Sequence, residues 1–180
     1  MPLKNPLYLL SFLLITSCDQ RSPRQRLVDY MNDPANKIRQ IIRIGDVKVT
    51  SKLLPYNYSN KEDAISKDGY VYFSVNIESH KNEKPSKEKV LYLDFDMQQD
   101  FTLLRGTDSV APVICQKIQN GRPGSYEYVV AFNDDHNDQD YTLFYKDKLF
   151  GIGTVAFVYD QQHISNIPVL KTLDTNETHL

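Results

Sequence analysis

The chain has 180 residues, of which 41% are hydrophobic and 24% are charged, and this balance excludes global disorder. Its 21 basic and 23 acidic residues give a formal net charge of -2, so the composition offers no basic footprint for nucleic acid. The length also excludes a TIM barrel, which needs about 250 residues.

The N-terminal segment is typical of a secretory signal. Lys4 precedes the apolar run Leu7–Ile15, which is long enough for a signal core and well short of the roughly 20 residues that span a bilayer. The next residues, Ile15-Thr16-Ser17-Cys18, resemble the lipobox of bacterial lipoprotein signal peptides. The resemblance implies cleavage before Cys18, a diacylglycerol on its sulfur and acylation of the freed amine. We therefore expect 1–17 to be a signal peptide and Cys18 to be the lipidation site.

Lipidation at Cys18 predicts where the protein resides. Two or three acyl chains anchor a protein stably, whereas one chain is marginal. We therefore expect a membrane-anchored protein of the bacterial cell envelope that faces the periplasm or the cell exterior. The alternative is a conventional secreted protein that is cleaved elsewhere and keeps Cys18 as an ordinary cysteine.

The second cysteine, Cys115, has no intramolecular partner once Cys18 is modified, so no disulfide is expected. It follows Val113 and Ile114, and this apolar setting predicts a buried thiol rather than a nucleophile. Without lipidation, a Cys18–Cys115 disulfide is the alternative.

After a polar tether over 18–25, a short helix is predicted at the start of a single β domain over 26–170. Ser22 is a candidate N-cap followed by Pro23, Arg24–Met31 has room for two turns, and Asn32-Asp33-Pro34 stops the helix. The last residues, 171–180, are expected to be a flexible tail.

Most of the domain has a hydrophobic period of two, which predicts β-strands. In 90–97 this pattern places Leu91, Leu93, Phe95 and Met97 on one face. The final run, Leu149–Tyr159, is apolar on both faces, as in a central or covered strand, and follows a tight turn at Asp147-Lys148. The predicted strands cover 38–44, 47–54, 70–78, 90–97, 101–104, 113–118, 126–132, 140–146 and 149–159.

These strands predict an all-β fold. An antiparallel β-sandwich of the immunoglobulin-like kind, with a short N-terminal helix, buries one face of each strand. A small closed β-barrel is the alternative.

An acidic loop at 133–140 is the candidate metal site. Clustered carboxylates in a loop can bind Ca²⁺ weakly, which makes Asp134, Asp135, Asp138 and Asp140 the candidate ligands. The sequence lacks the glycine that a helix-loop-helix calcium site has at its sixth position. We therefore expect a solvated hairpin loop without a metal.

No catalytic or cofactor motif is convincing. Gly151-Ile152-Gly153 begins a G-x-G-x-x-A match, but we expect these glycines to lie inside a strand, and a dinucleotide site needs a helix there. No cofactor is expected, and a binding protein is favoured over an enzyme. A hydrolase whose triad assembles only in space and a carrier of a small apolar ligand are the alternatives.

Twelve tyrosines and no tryptophan indicate a candidate binding surface. Tyr56 and Tyr58 fall in a polar loop, and Tyr72 and Tyr92 fall on the polar faces of predicted strands. An exposed tyrosine surface suits an envelope protein or a glycan as partner. Cross-strand pairing that only stabilises the sheet is the alternative.

The part of the chain after the lipobox is similar to small bacterial envelope lipoproteins whose function is not characterised. The similarity lies in Tyr30–Asn36 and in Asp147–Gly153, and it implies no catalytic residue. We therefore expect a lipid-anchored binding or scaffolding module of the cell envelope.

Overall fold

The computed structural model describes residues 21–55, 69–80, 85–134 and 139–168. These residues form two antiparallel sheets, one with strand order β1-β2-β3-β7-β6 and the other with order β5-β4-β8-β9. The sheets are not closed into a barrel in the described part of the chain, which confirms the predicted sandwich. The strands are β1 (Arg39–Ile44), β2 (Val47–Leu54), β3 (Tyr70–Ser79), β4 (Phe101–Arg105), β5 (Asp108–Val110), β6 (Ile114–Ile118), β7 (Ser125–Asn133), β8 (Tyr141–Lys146) and β9 (Thr154–Tyr159).

The core lies between the sheets and follows the predicted alternation closely. In β3, the predicted inward set of Val71, Phe73, Val75 and Ile77 is buried. A polar contact within this core is made by Ser51 in β2, whose Oγ accepts a hydrogen bond of 2.6 Å from the buried Tyr159 hydroxyl in the opposite sheet. This bond satisfies two buried polar groups and joins the two sheets.

The predicted N-terminal helix is confirmed as α1 (Pro23–Asn32). Ser22 Oγ accepts from the backbone N–H of Gln25 at 3.1 Å, which is the expected N-cap bond. Leu27 and Met31 are buried, and the Tyr30 hydroxyl donates to the His163 carbonyl at 2.7 Å. The helix therefore packs at the end of the sandwich where β1 begins and β9 ends.

A second short helix, α3 (Gln161–Ser165), follows β9 at this same end. Together, α1 and α3 form the helical cover of this end of the sandwich. Across the described residues, no helix has both the length and the apolar character that a membrane span requires.

The predicted strand at 90–97 is wrong, because these residues are helical. An α-helical turn, α2 (Lys87–Leu91), continues through a π-helical turn (Tyr92–Asp96) and a 3₁₀ turn (Met97–Asp100). We call residues 87–100 the helical segment. Its buried apolar residues are Leu93 and Met97, which are four positions apart and so share one face of a helix. Apolar residues at 91, 93, 95 and 97 suggested period two, but only two of them reach the core.

The predicted strand at 149–159 is also shorter than expected, and no tight turn forms at 147–148. The chain makes a loop in which the Asp147 carboxylate accepts from the backbone N–H groups of Leu149, Phe150 and Ile152 at 2.8–3.0 Å. Gly151 and Gly153 have φ angles of 76° and 73°, so they lie in this loop and not inside a strand.

Two further features of the second sheet differ from the prediction. β9 is an edge strand and not a central one, and its outward-facing Val158 is 47% exposed. The short strand β5 was not predicted. It pairs with β4 in a hairpin that turns at Gly106, where φ is 53°.

Candidate functional site

The helical segment fills one open side of the sandwich. Its buried Leu93 and Met97 face the core, and the Tyr128 hydroxyl on β7 donates to the Leu93 carbonyl at 2.9 Å. Gln98 Nε2 donates to the Pro112 carbonyl at 2.8 Å, just before β6. These bonds hold the segment in one position beside the edge strand of the five-stranded sheet.

The outer side of the helical segment carries two large apolar side chains that are open to solvent, beside the exposed Asp94, Asp96, Gln98 and Gln99. Phe95 is 76% exposed and Leu91, one turn earlier, is 57% exposed. Phe95 shares a shallow groove with Ala111 and Pro112, and the chain continues directly into the exposed Val113 and Ile114. We call Leu91, Phe95, Ala111 and Val113 the Phe95 surface. A large exposed apolar group of this kind on a well-packed support is typical of a binding surface.

A buried polar cluster lies behind this surface. The Asp100 carboxylate, whose side chain is fully buried, accepts from the Tyr92 hydroxyl at 2.7 Å and pairs with Lys148 Nζ at 2.8 Å. Lys148 Nζ also donates to the Tyr92 hydroxyl at 3.0 Å. The bond to Asp100, followed by the bond to Tyr92, raises the pKa of Lys148 above its usual value, so the amine stays protonated. This cluster ties the helical segment to the loop after β8.

The Cys115 thiol, which lies near this cluster, is not suited to nucleophilic chemistry. Burial, with a smaller contribution from the negative charge of Asp100, raises the pKa of the Cys115 thiol from 9.0 to about 12. The thiolate, which is the reactive form, is therefore scarce at neutral pH. The half-buried Cys115 is consistent with the predicted inert thiol.

The two candidate tyrosines that the structure describes lie on different elements. Tyr72 lies on β3, with its ring centroid 6.4 Å from that of Tyr70. Tyr92 lies on the helical segment and is half-buried in the Asp100 cluster, since 90–97 is not a strand beside β3. Tyr56 and Tyr58 lie outside the described residues.

Of the candidate metal ligands, Asp134 is buried and Asp140 is exposed. The Asp134 carboxylate accepts from the Tyr141 hydroxyl, and Asp140 Oδ1 accepts from the backbone N–H of Gln161 at 2.7 Å. Asp135 and Asp138 lie outside the described residues. The described part of the chain contains no group of three or more His, Cys, Asp or Glu that could hold a metal ion.

The described histidines do not form a triad with a serine. His163 Nε2 is 3.8 Å from the Asp160 carboxylate. The nearby Ser165 hydroxyl donates to the Gln162 carbonyl instead of to an imidazole.

Sequence reasoning missed the Phe95 surface because it assigned Phe95 to the core. The available signal was the capping residue Ser86, whose Oγ accepts from the Lys89 N–H at 3.2 Å and starts a helix just before this region. Comparisons with protein-family models, with curated proteins and with solved structures return no significant match.

Proposed function

We propose that this chain is a lipid-anchored protein of the bacterial cell envelope that binds or scaffolds a partner protein through the Phe95 surface. The anchor rests on the lipobox at Ile15–Cys18. The observation that carries the binding role is Phe95, a phenylalanine that is 76% exposed on a segment that the buried Leu93 and Met97 and the bond from Tyr128 hold against the core. Solvating so large an apolar side chain is unfavourable, and a partner that covers it removes that cost.

The position of α1 supports this arrangement. The helix begins at Pro23, five residues after Cys18, so an acyl anchor would keep this end of the domain within about 18 Å of the bilayer. The exposed Arg24 and Arg26 on α1 would then lie close to the lipid headgroups, where basic residues are favoured by anionic lipids.

The helical segment joins the four-stranded sheet away from that end. The helical segment leads into β4 at Phe101, which pairs with Tyr145, whereas α3 follows Tyr159, which pairs with Tyr141. Tyr145 and Tyr141 are at opposite ends of β8, so the helical segment joins the sheet at the end remote from α1. A partner could therefore reach Phe95 without competing with the membrane.

A protein partner suits this surface better than a glycan. Its apolar side chains are phenylalanine, leucine, valine and alanine, and Asp96, Gln98 and Gln99 line the same groove. An apolar centre with polar residues around it matches a protein interface. The contacts of Tyr128 with Leu93 and of Lys148 with Asp100 hold the segment in place before binding. Such preorganisation lowers the entropy lost on association.

Photo-crosslinking in the native envelope tests the binding role. A benzoylphenylalanine replacing Phe95 should give one dominant crosslinked protein, and the same probe replacing Ile41, which is also exposed, should not. Phe95→Ala should weaken capture of that protein from a probe at position 113 by about 30-fold or more, as for an interface hot spot. Equal crosslinking from positions 95 and 41 would contradict the proposal.

Mass spectrometry of the purified protein tests the anchor separately. We expect an N-terminal Cys18 that carries a diacylglycerol and an amide-linked acyl chain, and a Cys18→Ser variant that incorporates no labelled palmitate. Wild-type protein that keeps an unmodified Cys18 would exclude lipid anchoring while leaving the test of Phe95 unaffected.

A further inference from the structure

The outer face of β1 and β2 carries a cluster of basic side chains. Arg39 lies opposite Lys52 in the register of the two strands, and Arg43 lies opposite Lys48. The residues that alternate with the two lysines in β2 are buried, so the four basic side chains point away from the core. Opposed side chains lie about 5 Å apart, and the two basic pairs lie about 13 Å apart along the strands. We call these four residues, together with Ile41 between them on β1, the basic face.

Most of the positive charge on the basic face is not balanced within the domain. Glu78 on β3 forms an ion pair with Lys48. Among the residues that the structure describes, no carboxylate forms an ion pair with Arg39, Arg43 or Lys52. Burial, followed by the positive charge of Arg39, lowers the pKa of Lys52. Like charges that face each other across two strands are unfavourable, so an external anion over this pair would relieve their repulsion.

Ile41 gives the basic face an apolar centre. Its side chain lies between those of Arg39 and Arg43 on the outer side of β1 and is 42% exposed. An anionic lipid surface matches both properties, because headgroup phosphates attract the basic side chains while the boundary with the acyl chains accepts the apolar one. A small soluble anion would match only the charge and would leave Ile41 in water.

The position of the basic face favours a bilayer over an acidic protein as the partner. β1 begins at the same end of the sandwich as α1, which starts five residues after Cys18. The pair of Arg39 and Lys52 is therefore at the end that acyl chains on Cys18 would hold near the headgroups. Such a tether makes contact with the bilayer an intramolecular event, so a few basic residues are sufficient.

We propose that the basic face lies on the surface of an anionic phospholipid bilayer, with its basic side chains at the headgroup phosphates and Ile41 at the boundary with the acyl chains. This orientation rests on the proposed lipid anchor and extends it, because the domain lies against the membrane on its β1 side. Contact is closest at the pair of Arg39 and Lys52, since the exposed Asp46 lies in the turn at the other end of the two strands. β1 and β6 are opposite edges of the sheet, so this contact is compatible with a partner at the Phe95 surface.

Paramagnetic broadening by spin-labelled headgroups tests this orientation. The protein is purified from envelopes with its isoleucine methyl groups labelled for NMR and is placed in nanodiscs of phosphatidylglycerol and phosphatidylcholine that contain a nitroxide-labelled lipid. We expect strong broadening of the Ile41 signal in low salt. The signals of Ile114 and Ile118, which are exposed on β6 at the opposite edge of the sheet, should broaden little. High salt screens the attraction and phosphatidylcholine alone lacks the net charge, so either should remove most of the broadening at Ile41.

Two double variants that remove the same charge provide the matched comparison. Arg39→Gln with Arg43→Gln should lower the ratio of contacting to detached protein about 25-fold, since each basic residue near an anionic surface contributes about fivefold. The broadening at Ile41 should then nearly vanish. Lys87→Gln with Lys146→Gln removes two exposed charges from α2 and β8 and should leave that broadening unchanged. All four changes are at exposed positions, so the buried isoleucine signals should keep their wild-type shifts in both variants.

The outcomes separate the orientation from the anchor. Wild-type protein that leaves the nanodiscs in high salt would contradict the lipid anchor, and the broadening of Ile41 in low salt would still decide whether the basic face contacts the bilayer. Protein that stays in the nanodiscs without selective broadening at Ile41 would overturn the orientation alone. Equal broadening at Ile41 and Ile118, equal effects of the two double variants, or undiminished broadening in phosphatidylcholine alone would also overturn it.

Discussion

Two leucines in the helical segment offer a stringent test of the fold, because the change is identical and only the environment differs. Leu93 is 1% exposed and Leu91 is 57% exposed. A strand over 90–97 would place both on the same face, whereas the helical segment places only Leu93 in the core. Truncating each leucine to alanine therefore distinguishes the two structures.

Leu93→Ala removes buried methyl groups and leaves a cavity beside Tyr128, so we expect a loss of about 3 kcal/mol in the free energy of unfolding. For a domain of this size that corresponds to a fall of about 6–12 °C in melting temperature. Leu91→Ala should change the free energy of unfolding by about 0.5 kcal/mol or less, as is usual at exposed positions.

Urea denaturation followed by far-UV circular dichroism measures both variants, and this signal does not depend on tryptophan, which the chain lacks. The two variants should unfold with the wild-type denaturant slope, so that the shift in midpoint reports stability alone. Equal destabilisation by Leu91→Ala and Leu93→Ala would refute the helical register and restore the strand.

Three further predictions concern single groups. Tyr159→Phe and Ser51→Ala each remove one partner of a buried hydrogen bond, so each should lower the free energy of unfolding by about 1–2 kcal/mol. A double-mutant cycle should show a coupling of about 1 kcal/mol between them, and additive losses would contradict this. Burial favours the neutral form of Asp147, but N–H donors from Ile152 and its neighbours outweigh it and lower the pKa of the carboxyl. The stability that Asp147 contributes is therefore present above its unfolded-state pKa of 3.8 and is lost as pH falls through the lower folded-state pKa. In unfolding measured as a function of pH, the loss of stability caused by Asp147→Asn should therefore shrink in acid. A loss of stability that stays constant with pH would argue against this cause. The pKa of Cys115 rises to about 12, so at pH 8 the thiol should react with iodoacetamide on the order of 1,000-fold more slowly in folded than in urea-unfolded protein. Mass spectrometry measures both rates, and equal rates would contradict the burial of Cys115.

The sandwich was predictable where strand residues have clearly different surroundings on their two faces. In β3, apolar Val71, Phe73 and Val75 alternate with Tyr72 and polar residues, and this pattern fits only a half-buried strand. The cap at Ser22 with Pro23 likewise indicated α1 directly, because both residues favour the first turn of a helix.

The prediction failed where side chains bond to backbone N–H groups of a neighbouring loop. Asp147 holds an open loop through three N–H groups, and no hydrophobic period shows such bonds. The expectation that Tyr92 lies on a strand beside Tyr72 was wrong, since Tyr92 lies in the helical segment.

Polar residues explain why the helical segment adopts one of the two structures that its apolar residues allow. In a strand, Tyr92, Gln98 and Asp100 would all lie on the face opposite Leu93. In the helical segment, Tyr92 and Asp100 meet with Lys148, while Gln98 reaches the Pro112 carbonyl. A buried carboxylate is costly unless it is paired. Because the helical segment brings Tyr92 and Lys148 to Asp100, this pairing favours the helix over the strand. The bonds that select the helix also leave Phe95 on the outside, and the exposed surface is therefore a consequence of the polar residues around it.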